Sequence, residues 1–169
     1  MRPERKNRIK LLLFLDVGGS MDPYVEACEE LFSAVRTEFK DLEHFYFHNC
    51  LYETVWNNNP RSSEDIILTW DILRKYGSDY RVLFVGDASM SPYEIAYPGG
   101  SIEHWNEESG SIWLERLISH FDSVAWLNPE SKNIWNSSAS NKMIREIFEE
   151  KMFEMNLSGI EEAMKTLSR

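Results

Sequence analysis

The order of apolar and helical patterns along this chain predicts an α/β fold: a three-layer, Rossmann-like domain whose central sheet is mostly parallel with one antiparallel edge strand. Two runs, 11–15 and 82–85, are apolar at every position, which is typical of strands covered on both faces. Segments with helical spacing follow these runs, and strand-like and helical segments alternate to the end of the sequence.

The first strand and the first helix are predicted over residues 8–16 and 22–39. The segment RIKLLLFLD is too short for a lone helix and is apolar on both faces. In the second segment, apolar side chains recur at helical spacing and form one stripe. Asp22 and Pro23 fit the N-cap and the first helical position of this helix.

A hairpin, a second helix and a second buried strand are predicted next. Residues 42–49 and 51–56 are rich in aromatic and β-branched side chains, and the short junction between them indicates a hairpin. This hairpin places one antiparallel strand at a sheet edge. Helical spacing returns over residues 64–76. The strand at 80–87 then ends on a carboxylate, Asp87.

The remainder begins with a long connection over residues 88–109, which contains several prolines and glycines. The elements predicted after it are, in chain order, a helix at 109–121, a strand at 123–129, a helix at 141–150, a strand at 151–155 and a helix at 158–168.

Length and charge limit the classes of function. With 169 residues the chain is long enough for one domain with a substantial core, predicted over residues 10–169 after a basic N-terminal tail at 1–9. The formal net charge of -10 argues against sequence-independent binding to nucleic acid, which needs a basic face. The tail is interpreted as a solvated chain end.

No targeting or membrane segment is predicted. The apolar run after the basic tail is short, ends in Asp16 and has no small-residue cleavage site after it. No stretch approaches the roughly 20 apolar residues that a membrane helix needs. We therefore expect a cytoplasmic protein without a membrane partner.

Two carboxylates at strand ends are the strongest functional signal. Asp16 and Asp87 each follow a buried strand, and ligands of such sheets bind beyond the carboxyl ends of the strands. If the two strands are neighbours, the carboxylates repel each other unless a cation or a proton lies between them. The turn GGSM after the first strand lets backbone approach closely, and Ser20 offers a hydroxyl to a hard metal ion.

Other motifs fit this turn less well. A dinucleotide fingerprint needs three spaced glycines, and a phosphate-binding loop needs Gly-Lys-Ser/Thr, which is absent. An aspartyl phosphotransferase would carry a second carboxylate two residues after Asp16, where Gly18 stands. A receiver-type phosphoacceptor site would have a lysine near the position of Asn128. We find no arrangement of residues for nucleophilic catalysis.

The pattern that remains resembles the metal-ion-dependent adhesion site (MIDAS) of von Willebrand factor A (vWA) domains, on Asp16, Ser20 and Asp87. The order of elements is similar over nearly the whole chain. Segments such as LFVGDASMSPYEIAYPGGSIEHWNEESG resemble bacterial CoxE-like proteins, in many of which this domain is the C-terminal part of a longer chain. The resemblance implies a non-enzymatic, protein-binding domain that acts with a MoxR-type AAA+ ATPase or its client in complex assembly or metalloenzyme maturation.

The resemblance also implies a Mg²⁺ ion, for which Mn²⁺ or another divalent cation can substitute. One departure is Gly18, which stands where the motif has its first serine, so that water would replace one hydroxyl ligand or the site would be vestigial. The threonine of the motif has two candidates here. Thr69 resembles the threonine at the helix start in relatives, and Ser63 is the other candidate, although it also fits a helix N-cap.

The partner is expected at the strand-end face, beside the long connection. Exposed aromatic side chains next to a polar site suit partner recognition, although these rings could instead pack the connection onto the domain. The candidate partner-binding residues are Gly18, Ser89, Tyr93, Tyr97 and Trp105. Two alternatives to the metal-dependent adhesion module stay open: a metal-dependent phosphotransferase or hydrolase that uses Asp16 and Asp87, and an interaction module with a vestigial metal site.

Overall fold

A computed structural model describes residues 9–36 and 39–169, so most of the predicted basic tail lies outside the described residues. The strands, in chain order, are β1 (Lys10–Asp16), β2 (Asp41–Phe47), β3 (Thr54–Trp56), β4 (Ile66–Leu68), β5 (Arg81–Val85), β6 (Ser123–Asn128) and β7 (Met152–Glu154). The α-helices are α1 (Val25–Arg36), α2 (Thr69–Lys75), α3 (Pro92–Ala96), α4 (Gly110–His120), α5 (Lys132–Trp135), α6 (Ala139–Ile147) and α7 (Leu157–Leu167).

The seven described strands form one sheet in the order β4-β3-β2-β1-β5-β6-β7. β1 pairs in parallel with β2 on one side and with β5 on the other, and β5, β6 and β7 continue in parallel. β3 is antiparallel to β2, as the hairpin predicted. The predicted α/β fold, with a mostly parallel sheet and an antiparallel edge, is confirmed.

The predicted helix at 64–76 is wrong in its first half. Residues 63–65 form a 3-10 turn, β4 follows, and α2 begins only at Thr69. β4 pairs antiparallel with β3, with Ile67 opposite Val55, and extends the sheet beyond the antiparallel strand. Pairing with a neighbouring strand therefore decided the conformation of an apolar run that by itself fits either element.

The start of the first helix also differs from the prediction. A 3-10 helix, Gly19–Tyr24, precedes α1, so Asp22 is not an N-cap and Pro23 lies inside the 3-10 segment. The turn begins early because Gly18 and Gly19 both have positive φ angles, 83° and 57°, which glycine adopts without steric cost. Of the last residues predicted for this helix, 37 and 38 fall outside the described residues, and Phe39 is not helical. Two short helices that were not predicted, α3 and α5, lie in the later connections.

The core has two parts, one on each face of the sheet. Alternate residues of a strand point to opposite faces, so Leu12 and Phe14 of β1 contact one part and Leu11 and Leu13 contact the other. The first part includes buried side chains of α2, α4 and α6, and the second includes side chains of α1 and α7. These two helical layers and the sheet account for the three-layer architecture. No helix in the described ranges is both long and apolar enough to cross a membrane.

A stack of aromatic rings fills the centre of the first part of the core. The ring of Phe84 lies 4.8 Å from that of Phe14 and 5.3 Å from that of Trp126, in stacked geometry. The edges of Phe47 and Phe148 close the stack on its sides. These rings belong to neighbouring strands and to the residue after α6. Their packing therefore supports the strand order β2-β1-β5-β6, which the backbone hydrogen bonds between the strands also establish.

Replacing the central ring tests this account. We expect Phe84→Ala to lower the free energy of unfolding by about 3–5 kcal/mol, because it removes a fully buried ring and leaves a cavity. Urea unfolding followed by far-UV circular dichroism measures the change. The control is Tyr93→Ala, which truncates an exposed ring and should change stability by less than about 1 kcal/mol. Equal losses in the two variants would contradict the central role of the stack.

Candidate functional site

The structure places the two predicted aspartates at the carboxyl ends of two neighbouring parallel strands. Asp16 is the last residue of β1, and Asp87 lies two residues beyond the end of the neighbouring strand β5. The chain runs outward from β1 to β2, β3 and β4 and then returns to the other side of β1 as β5, so the strand order reverses between these two strands. Such a switch point is where α/β sheets bind ligands. Both carboxylates are only 2% exposed.

Asp16 has one satisfied and one unsatisfied carboxylate oxygen. Oδ1 accepts a hydrogen bond of 3.0 Å from the backbone N–H of Asn49. Oδ2 is buried and has no hydrogen-bond partner among the described residues. A buried acceptor without a partner is uncommon in a folded protein and is often explained by an ion or a water molecule.

Gly86 provides the space that this carboxylate occupies. A Cβ atom at position 86 would lie 3.0 Å from Asp16 Cβ and 3.2 Å from Asp16 Oδ2. On its other side it would meet the ring of Trp126 at 3.2 Å. The backbone of Gly86 is also held at both ends, because its N–H donates to Leu127 and its carbonyl accepts from the Trp126 indole.

Burial and neighbouring charges disfavour the ionised form of Asp16. Burial raises the pKa of Asp16 well above its ordinary value of 3.8, and the N–H of Asn49 opposes this shift. The charge of Asp87 raises this pKa further, the charge of Arg61 lowers it, and the charge of Glu94 raises it. The charges of Asp87, Glu94 and Arg61 therefore all affect the Asp16 carboxylate. An additional positive charge beside it would stabilise its ionised form.

The turn that carries Asp87 is held by buried amides. The carbonyl of Asp87 accepts hydrogen bonds from Asn128 (3.1 Å) and Asn141 (3.2 Å), and that of Ala88 accepts from Asn141 (3.1 Å). Ala88 has a positive φ of 55°, which these bonds help to maintain. Oδ1 of Asp87 accepts from the N–H of Ser89, whose side chain is exposed. The backbone after β5 is thereby fixed while the Asp87 side chain stays at the strand end.

Side chains from three loops surround the glycine turn. The Nδ1–H of His48 donates to the carbonyl of Val17 at 2.8 Å. A Cβ at Gly18 would lie 3.4 Å from His48 Nδ1 and 3.5 Å from Arg61 Nη2, so these groups occupy the space beside the missing side chain. Arg61 donates two hydrogen bonds, of 2.7 and 3.1 Å, to the carboxylate of Glu103. Ser20 is exposed in the 3-10 helix that follows.

The two candidates for the threonine position differ in their surroundings. Thr69 begins α2 and is fully buried, and its hydroxyl donates to the carbonyl of Tyr52 at 2.5 Å. Among the described residues it has no hydrogen bond to Asp16 or Asp87. Ser63 is exposed in a 3-10 turn whose N-cap is Ser62, so Ser63 is not an N-cap. In the described part of the chain, Thr69 therefore uses its hydroxyl on a backbone carbonyl rather than on either carboxylate.

The connection at 88–109 presents a set of exposed apolar side chains, which we call the aromatic surface: Tyr93, Tyr97, Ile102 and Trp105. Trp105 is 70% exposed, yet one edge of its ring packs where a Cβ of Gly99 would lie. The rings of Tyr93 and Tyr97 are 5.2 Å apart. These rings pack on the connection itself and remain open to solvent, so both predicted roles are compatible with their positions.

A fully buried amide holds the connection in shape. Asn106 accepts from the N–H of Ser101 (2.9 Å) and donates to the carbonyls of Tyr97 (3.2 Å) and Glu108 (2.9 Å). Its own carbonyl accepts from the N–H of Gly99 at 2.7 Å. The aromatic surface is therefore carried by a connection with a defined internal hydrogen-bond network.

Glu94 and Asn49 are among the residues of the site that were not identified from the sequence. Glu94 is only 3% exposed, and its Oε1 accepts from the side-chain amide of Asn49 at 2.9 Å. Its other oxygen accepts from the N–H of Ser91, which makes a capping box at the start of α3. The Ser-x-x-Glu pattern of that box is visible in the sequence and could have indicated a helix start at this point. Asn49 has no comparable local signal.

No metal-binding group is identified in residues 9–36 and 39–169, when such a group is defined by three or more histidine, cysteine, aspartate or glutamate side chains. The predicted site combines two carboxylates with hydroxyl groups, and a site of that composition does not meet this definition. The metal site therefore stays a prediction. Comparisons of the chain with protein-family models, with curated proteins and with solved structures gave no match in any of the three. The resemblance to vWA domains therefore rests on the residues and the order of elements alone.

The pKa of Asp16 leads to a pH-dependent stability. The folded chain holds the Asp16 proton more tightly than the unfolded chain, so this group lowers stability as pH rises from 3.8 through the raised pKa. The slope from one such group is at most about 1.4 kcal/mol per pH unit. We expect Asp16→Asn to lack this contribution and to be more stable than the native chain at neutral pH in EDTA.

Urea unfolding in EDTA from about pH 4 to pH 8 measures this difference. The control is Asp71→Asn, which changes an exposed carboxylate on α2 and should follow the native chain at every pH. A difference between Asp16→Asn and the native chain that stays constant with pH would contradict the prediction.

Proposed function

We propose that this chain is a non-enzymatic, protein-binding domain of the vWA type, whose switch point binds a divalent cation of the Mg²⁺ class. The observation that carries the proposal is the buried Oδ2 of Asp16, which has no hydrogen-bond partner within residues 9–36 and 39–169 and lies on the strand next to the one that precedes Asp87. Nearby carboxylates from Asp87 and Glu94 make an additional cation favourable there. The strand order, with its reversal between β1 and β5, also supports this proposal.

The residues present fit a hard cation in part. Asp16 and Asp87 would hold it directly or through water, and the exposed hydroxyl of Ser20 would be a further ligand. The hydroxyl of Thr69 already donates to Tyr52, so Thr69 is the weakest member of the proposed ligand set. Gly18 provides no side chain, and Mg²⁺ readily keeps water at such a position. When bound, the cation would leave one coordination position for a carboxylate of a partner.

The proposed partner is a MoxR-type AAA+ ATPase or its client in the cytoplasm, engaged in complex assembly or metalloenzyme maturation. The aromatic surface supports binding of a protein, since large exposed aromatic side chains are common at the centres of interfaces. Ser89 and Gly18 would lie at the polar part of the same interface. A connection that is already ordered by Asn106 loses little conformational entropy on binding.

One observation favours a second candidate, an interaction domain with a vestigial metal site. Arg61 lowers the pKa of Asp16 through its charge and lies beside Gly18, so a guanidinium supplies part of the positive charge that an ion would bring. In that case the partner would bind to the aromatic surface without any metal. The metal-binding prediction below separates the two candidates.

Metal binding should appear as stabilisation of the folded chain. We expect millimolar MgCl₂ to raise the midpoint of thermal unfolding relative to EDTA, because a ligand of the folded state stabilises it by about 2.7 kcal/mol at a hundredfold excess over Kd. Asp16→Ala and Asp87→Ala should abolish this shift. Asp71→Ala, which removes an exposed carboxylate of α2, should keep it. A native chain with no shift in MgCl₂ or MnCl₂ would support the vestigial site instead.

Partner capture should depend on the aromatic surface. We expect Trp105→Ala to weaken binding of a MoxR-type AAA+ ATPase by roughly 30-fold or more, the effect of losing an aromatic side chain at the centre of an interface. Biolayer interferometry with the immobilised native chain and its variants would measure it. Leu157→Ala, which truncates an equally exposed side chain at the start of α7, is the matched control. Equal affinities for the two variants would place the interface elsewhere.

A further inference from the structure

Asn49 connects the switch point to the aromatic surface. Its backbone N–H donates to Oδ1 of Asp16 at 3.0 Å, and its side-chain amide donates to Oε1 of Glu94 at 2.9 Å. The residue is buried and has a positive φ of 64°, a conformation in which asparagine is several-fold enriched. One residue in a defined backbone conformation therefore donates to two buried carboxylates.

Glu94 is tied to the start of the helix that carries two rings of the aromatic surface. Its Oε2 accepts from the N–H of Ser91 at 3.0 Å, and its carbonyl accepts from the hydroxyl of Tyr52 at 2.6 Å. Tyr93 and Tyr97 flank Glu94 in α3 and at its C-cap. A change in the position of the Glu94 carboxylate must therefore disturb the capping box that begins α3.

We propose that Asn49 and Glu94 are positioning residues that couple the position of the Asp16 carboxylate to the order of α3 and of the aromatic surface. The proposal rests on the proposed function, because the cation and the partner are the two ligands that the proposed function assigns to this chain. Its consequence is reciprocal: a cation at Asp16 stabilises the connection at 91–106, and a partner on that connection raises the affinity for the cation.

The physical basis is the pair of hydrogen bonds that Asn49 donates. The Asp16 carboxylate accepts from its backbone N–H, so a cation that holds this carboxylate in one position also restrains Asn49. A restrained Asn49 keeps its side-chain amide on Glu94, and Glu94 keeps the capping box at the start of α3 closed. The aromatic surface thereby becomes better ordered when a cation is bound at the switch point.

Asn49→Gly isolates this connection. Glycine adopts the same positive φ and keeps the backbone N–H that donates to Asp16, while the amide that donates to Glu94 is lost. Glu149→Gly is the matched control, because Glu149 also has a positive φ, 53°, and its side chain is exposed just before β7. Glu94→Gln provides an independent second variant, because an NH₂ group replaces one of the two carboxylate oxygens and cannot accept from Asn49 or Ser91 in its place.

Hydrogen exchange of the backbone amides at 91–106, measured by mass spectrometry, is the test. In the native chain and in Glu149→Gly, MgCl₂ should slow exchange in this segment by about fivefold or more. In Asn49→Gly and Glu94→Gln this protection should be lost, although MgCl₂ still raises the midpoint of unfolding. Equal protection by MgCl₂ in Asn49→Gly and in the native chain would overturn the proposal.

A second comparison tests the coupling even if magnesium has no effect on the native chain. It therefore separates failure of this proposal from failure of the proposed metal site. In EDTA, Asp16→Ala removes the acceptor that restrains the Asn49 N–H, without any metal. Exchange at 91–106 should then be faster in Asp16→Ala than in the native chain. The same substitution in the Asn49→Gly background should have no further effect, because the amide that reaches Glu94 is already absent. Unchanged exchange in Asp16→Ala would overturn the coupling.

Discussion

Burial of a carboxylate at the carboxyl end of the central strand is the constraint on which the neighbouring structure depends. Asp16 is enclosed where the strand order reverses, and one of its oxygens has no partner in the described part of the chain. Gly86 leaves the volume that this carboxylate fills, and Asn49 adopts a left-handed conformation from which its N–H reaches the other oxygen. A buried charge is unfavourable unless other groups compensate it. The burial of Asp16 therefore accounts for the glycine at position 86 and for the backbone conformation of Asn49 together.

The electrostatics of the site explain why one arrangement supports both a metal site and a vestigial one. Asp87 and Glu94 disfavour the charge on Asp16, whereas Arg61 and the Asn49 N–H favour it. A divalent cation would resolve this balance in the proposed adhesion site. A proton on Asp16 would resolve it in a vestigial site, with Arg61 nearby as a permanent positive charge. The two cases differ in which positive species the switch point holds, and the sheet, the glycine turn and the buried amides are common to both.

The aromatic surface and the switch point are joined by one ordered connection. The connection after Asp87 is fixed at its start by Asn128 and Asn141, in its middle by the capping box of Glu94, and near its end by Asn106. Its exposed rings are therefore presented by a backbone that these hydrogen bonds hold in place. Such pre-organisation suits a binding surface, because less conformational entropy is lost when a partner binds.

The sequence by itself determined the strands that are apolar at every position, the hairpin after β2, and the placement of Asp16 and Asp87 at strand ends. Those features follow from local patterns, namely continuous apolar runs and their first polar residue. Only the tertiary structure decided that residues 66–68 form β4, because pairing with β3 overrode their helical spacing. It also decided that Thr69 donates to Tyr52 and that Asn49 donates to both Asp16 and Glu94, since these contacts join residues between 17 and 45 positions apart. Hydrogen bonds between distant segments leave no periodic signal in a sequence, and they become visible only when the fold brings their donors and acceptors together.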